Sequence, residues 1–197
     1  MDLKSDLDAN QTVLLIMPSV EYNEVIVETM KNLSGNICYI TANKTFDALK
    51  EVFEKNKIDI ANVVFIDSIS KTLKKVPDQS DSVYYVSSPG ALTELSLVIN
   101  KFIRHDFDYI IFDSITNLGI YQKPAMAIKF ITSLIDKIKK TKSKAVFYAL
   151  DTAEQAGLID STGAIVDKVV KGGASTAPIK KVVPKNVVDT KVVAKTA

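Results

Sequence analysis

The sequence predicts an α/β protein, a three-layer sandwich with a mostly parallel central sheet. Two observations carry this. Short runs of purely apolar residues, the kind buried on both faces of a sheet, alternate with longer segments of helical period. The 197 residues are 47% hydrophobic, enough for one sizeable core.

Val13–Met17 (VLLIM) reads as the first strand. Residues 21–33 place Val25, Ile26, Thr29, Met30 and Leu33 on one helical stripe, and Gly35 ends it. Ile37–Thr41 is a second strand, and Thr45–Lys55 a helix with Phe46, Leu49, Val52 and Phe53 inward. Val63–Asp67 is a third strand, followed from Ser68 to Ser82 by a polar stretch without periodicity. Val83–Val86 is a fourth strand. Ser88-Pro89 is expected to open a helix that runs to about Arg104, a good cap followed by proline in the first turn. Tyr109–Asp113 and Ala145–Leu150 are strands around a long amphipathic helix, Pro124–Lys140. Residues 152–163 read as a short helix and Ile165–Val170 as an edge strand.

The chain holds 25 Lys and Arg against 23 Asp and Glu, and its pI is about 8.4. Residues 171–197 contain six of the lysines and one acid, Asp189, which leaves 19 basic and 22 acidic residues, a net of −3, for residues 1–170. The basic balance thus belongs to the end of the chain, against a DNA-binding fold with a basic face. The reading is a polar lead over 1–11, a folded domain over 12–170 and a disordered Lys/Val/Pro-rich tail over 171–197. No apolar run is long enough to cross a bilayer, and the acidic start MDLKSDLDANQ is no signal peptide. One Cys, Cys38, and one His, His105, argue against disulfides, thiol or imidazole metal clusters and His-based acid–base chemistry. A cytoplasmic protein is the expectation.

Two strands end in Asp-Ser, at Asp67-Ser68 and Asp113-Ser114. A nucleotide-hydrolysing sheet uses such a strand end to hold Mg²⁺ near phosphates, although the same pattern also caps turns and helices. The order of segments, with Ser88-Pro89, Leu92-Thr93, Leu95, Asp113-Ser114 and Tyr121, resembles the RecA/KaiC-like ATPase fold over residues 12–170, and among its members archaeal RecA-like families of unknown function.

That resemblance implies a Gly- and Lys-bearing phosphate loop after the first strand. Met17–Glu24 (MPSVEYNE) has no Gly and no Lys, and carries a Pro and two carboxylates, Glu21 and Glu24, where phosphate would sit. The resemblance also implies a water-activating Glu pair after the second strand, where Asn43 and Lys44 stand instead. Asp113 matches the metal-binding Asp of the fold. The expectation is therefore a degenerate domain that is not an enzyme, with no cofactor and a protein partner or homo-oligomer in regulation or signalling. The alternative is a non-standard ATP-binding protein or slow ATPase using ATP with magnesium, its metal on Asp113. Any small-molecule site is expected at the strand ends, on Ser19, Tyr22, Asn43, Asp113 and Ser114, within a rim of Pro18–Tyr22, Asp67, Ser88 and Tyr121.

Other cations have plain readings. Arg104 and His105 follow a helix and offset its dipole, and Lys139, Lys140, Lys142 and Lys144 are solvated last-turn lysines, with an acidic-partner patch as the alternative. Lys71, Lys74 and Lys75 are expected in solvent. Nucleic acid is not expected as a partner beyond weak contact through the tail.

Overall fold

The computed structural model describes residues 2–105 and 107–172. The tail expected over 171–197 lies outside them except for its first two residues.

Eight strands form one sheet in the order β4-β5-β3-β2-β6-β7-β1-β8. They are β1 (Thr12–Met17), β2 (Ile37–Thr41), β3 (Val63–Asp67), β4 (Gln79–Ser80), β5 (Val83–Tyr85), β6 (Tyr109–Asp113), β7 (Lys144–Leu150) and β8 (Lys168–Lys171). All pairings are parallel except β4 with β5. The helices are α1 (Leu3–Ala9), α2 (Tyr22–Asn32), α3 (Phe46–Lys55), α4 (Ser70–Leu73), α5 (Leu92–Ile103), α6 (Ile115–Tyr121), α7 (Pro124–Ile138) and α8 (Ala156–Gly163).

Both faces of the sheet are covered, which is why the inner strands carry apolar residues at successive positions rather than alternating with polar ones. Val13, Leu15 and Met17 of β1 face α1, α2 and α3, together with Tyr39, Phe65, Ile111 and Tyr148. Leu14 and Ile16 face the layer of α5, α6, α7 and α8, together with Ile40, Phe112 and Phe147. The three-layer α/β sandwich is as the sequence predicts.

Several local details differ from the sequence reading. The polar lead contains α1, capped by the Asp2 side chain on Ser5 N, and it buries Leu3 and Leu7, which lie four apart on one face. The Lys144 ammonium donates to the Leu7 and Asp8 carbonyls and so ties the end of α1 to the start of β7. Ser88-Pro89 does not cap a helix. Residues 88–91 form a turn closed by Ala91 N on Ser88 O at 3.0 Å, and α5 starts only at Leu92. The polar stretch 68–82 holds α4 and β4, both too short to leave a periodic signal. The last strand begins three residues later than expected, at Lys168, and ends one later, at Lys171, because Ile165 and Val166 pack against the core.

Leu7 has no exposed surface, and truncating it opens a cavity beneath α1. Leu7→Ala is expected to lower unfolding free energy by about 2–5 kcal/mol in urea denaturation. A change near zero would mean that α1 does not pack on the sheet in solution.

Candidate functional site

The register of the sheet sets the site. β2 lies between β3 and β6, and Thr41 pairs with Asp67 on one side and Asp113 on the other. The two Asp-Ser strand ends therefore stand in one row at the carboxyl edge, yet they do different work.

Asp67 is saturated. Its Oδ2 accepts from Phe46 N at 2.7 Å and Ser70 Oγ at 2.6 Å, and its Oδ1 accepts from Ile69 N at 2.7 Å and Ser70 N at 2.8 Å. These are orphan donors at the starts of α3 and α4, so Asp67 is a structural cap. Ser68 likewise donates to Thr41 O at 2.7 Å.

Asp113 has no exposed surface and is served by phenols instead. Tyr22 OH and Tyr39 OH both donate to Oδ2, the latter at 2.7 Å. Oδ1 finds no hydrogen-bond partner among the described residues. Tyr22 is brought there by the short link after β1: Pro18 is extended, residues Ser19–Glu21 make one 3₁₀ turn, and α2 begins with Tyr22 pointing back under the sheet edge. Tyr39 reaches the same oxygen from the middle of β2. Tyr148 of β7 closes the group, and among the described residues its buried hydroxyl and that of Thr29 also lack partners of ordinary geometry.

Polar groups outside this knot modulate it. Asn43 is held by Asn117 Nδ2 on its Oδ1 at 2.8 Å, and its amide stabilises the charged forms of both Tyr22 and Asp113. The Lys44 ammonium lies 5.5 Å from the centre of the Tyr22 ring, a cation–π contact that covers the phenol. Burial pushes Asp113 up to about 6, against the lowering effect of Tyr22, Tyr39, Asn43 and Lys44. Burial first, and then the Asp113 charge, push the Tyr22 and Tyr39 hydroxyls well above the ordinary phenol range, so both remain donors.

Of the residues the sequence singles out, the structure brings together Tyr22, Asn43 and Asp113, with Lys44 over them. Ser114 is buried nearby but shares its hydroxyl with Thr116 Oγ1 at 3.0 Å at the start of α6. Ser19 is exposed in the 3₁₀ turn, and Tyr121 lies half exposed beside Gly90. Tyr39 and Tyr148 are absent from the sequence reading because a tyrosine inside an apolar strand looks like any core aromatic.

The donor set speaks to what can be held here. Magnesium with a nucleotide asks for oxygen acceptors, bound water and phosphates in an open octahedral shell. Asp113 is instead surrounded by phenol and amide donors that compete for its charge, and no group of three or more His, Cys, Asp or Glu fit for a metal occurs among the described residues. The residues do not fit a magnesium–nucleotide group.

Folding moves Asp113 from 3.8 to about 6, so between those values the folded protein binds more protons than the unfolded chain. The contribution of this group to stability therefore falls as pH rises through that window, by on the order of 3 kcal/mol. Asp113→Asn is expected to remove that slope, read as the difference between the urea-unfolding profiles of the two proteins from about pH 4 to pH 7; parallel profiles would refute the assignment. Tyr22→Phe is expected to destabilise by about 1–3 kcal/mol and raise the Asp113 titration further in a carboxyl-carbon NMR experiment.

Comparisons with known proteins agree with this architecture. An uncharacterized protein of Pyrococcus horikoshii, crystallised in complex with an unknown peptide, superposes with a TM-score of 0.60 at 11% identity, covering 87% of this chain and 83% of that one. A KaiC-like protein of the hyperthermophilic archaeon Pyrococcus horikoshii OT3 gives a TM-score of 0.52 at 11% identity over 86% of this chain and 74% of its own. An ATPase of the type III secretion system of pathogenic bacteria also gives 0.52 at 11% identity, over 82% of this chain and half of its own. At such identity the likeness establishes the fold, which is RecA-like. No curated protein matches the chain. Residues 4–177 match a family described only as one of unknown function, DUF7090, and the chain belongs to that family.

Proposed function

We propose that this chain is a RecA/KaiC-like domain that has lost nucleotide hydrolysis and acts through protein contacts in cytoplasmic regulation or signalling. The observation that carries the reading is the closure of Asp113 by Tyr22 and Tyr39, with Tyr22 delivered by the very link that would have to wrap phosphates. Three further features support it. That link has no Gly and no Lys. Asn43 and Lys44, which hold the place of water-activating carboxylates, are used to cover Tyr22 and Asp113. The peptide bound by one structural neighbour, from an archaeon, is consistent with a scaffold that engages protein segments.

Calorimetric titration with ATP and Mg²⁺ is expected to give no binding heat at millimolar nucleotide. ATP turnover by the purified protein that disappears in Asp113→Ala would overturn the reading, whereas turnover that survives the substitution would be a contaminant.

A further inference from the structure

Two cationic runs that stand well apart in the sequence meet at the opposite end of the sheet. α5 leads into β6 and α7 leads into β7, so the carboxyl ends of both helices converge where those strands begin. There they border an open cleft of about 1030 Å³. Arg104, the only arginine of the chain, caps α5, and His105 follows it. Lys140 and Lys142 lie in the turn between α7 and β7. All four are exposed, and among the described residues no carboxylate pairs with them.

The one acid among the described lining residues, Asp108, is engaged from the other side, its Oδ2 accepting Asn36 N at 2.8 Å. In sequence, Asp106 follows His105 and Asp136 stands four residues before Lys140. Two helix ends present roughly one negative charge in total, about half a unit each. Among the described residues the lining carries five cations, Arg104, Lys137, Lys140, Lys142 and Lys144, against the one carboxylate of Asp108, so the two helix ends leave a surplus of about three positive charges. Phe107 and Ile103 add apolar surface to the same lining.

The shape and setting of this charge select the ligand. A small phosphate compound calls for converging buried donors, and Arg104, Lys140 and Lys142 sit on long exposed stems around a cleft at or beyond the upper size of small-molecule sites. Nucleic acid calls for a basic face over a basic body, and residues 1–170 are net −3. A peptide with spaced carboxylates and an apolar side chain matches both the scattered cations and the apolar surface of Phe107 and Ile103. We propose that this cleft docks an acidic segment of a partner protein, with its carboxylates on Arg104, Lys140 and Lys142 and an apolar side chain against Phe107 and Ile103. The proposal rests on the reading of the chain as a protein-contact domain and names the surface used.

Fluorescence anisotropy with a fluorescein-labelled Asp/Glu-rich peptide carrying one Phe tests this on the full chain. The triple variant Arg104→Glu, Lys140→Glu, Lys142→Glu is expected to weaken binding by at least about tenfold, while Lys185→Glu, Lys191→Glu, Lys195→Glu in the tail changes it by less than about threefold. The milder Arg104→Gln, Lys140→Gln pair, with circular dichroism unchanged, is expected to fall between the two and guards against a folding defect in the triple variant. Unchanged affinity in the cleft variants, loss in the tail variant, or tighter binding of a single-stranded oligonucleotide or tripolyphosphate of equal charge would each overturn the proposal. Anisotropy is independent of the nucleotide titration, so ATP hydrolysis would sink the reading of the strand-end site without moving this result, and the reverse also holds.

Discussion

A carboxylate removed from water must be compensated by groups of the protein, and Asp113 imposes that demand at the centre of the sheet. The three tyrosines gathered around it come from α2, β2 and β7, and Asn43 and Lys44 come from the loop between β2 and α3. The first turn of α2, the neighbouring strand and that loop are thereby fixed relative to one another. Among the described residues only one carboxylate oxygen accepts a hydrogen bond of ordinary geometry, and burial outweighs the compensation that Asp113 receives, so the group titrates high. Such a knot positions backbone firmly while leaving little room for a substrate.

Much of this was legible in the residues, and the failures have physical reasons. Apolar strands and helical stripes announced the three layers because burial on both faces leaves a strong compositional mark. The link Met17–Glu24 announced the absence of a phosphate cradle, since glycine and lysine have no substitute in that role. Asp67-Ser68 and Asp113-Ser114 look alike in sequence, and nothing local separates them. What separates them is the partner each finds: backbone donors at the starts of α3 and α4 for Asp67, distant phenols for Asp113. Helix α1 escaped notice because two leucines among acids read as a polar segment until a core exists to receive them.

The two ends of the sheet contrast in a way that charge totals conceal. At the carboxyl edge an acidic group is buried and covered. At the amino edge basic groups stand exposed around a cleft, while the body as a whole is mildly acidic. Parallel topology produces this division: each helix returns antiparallel to the strands, so one edge gathers helix starts and the other gathers helix ends.

The edge strand β8 carries a geometric corollary. It runs parallel to β1, pairing Lys171 with Ile16, and Gly172 N then bonds Ile16 O at 2.7 Å. Gly172 accordingly lies at the carboxyl edge, the edge of Tyr22 and Asp113, a full strand length away from the cationic cleft. A label attached at Gly172 itself would sit at that edge, three strands along from Asp113 and clear of the cleft, which makes that position suited to surface immobilisation.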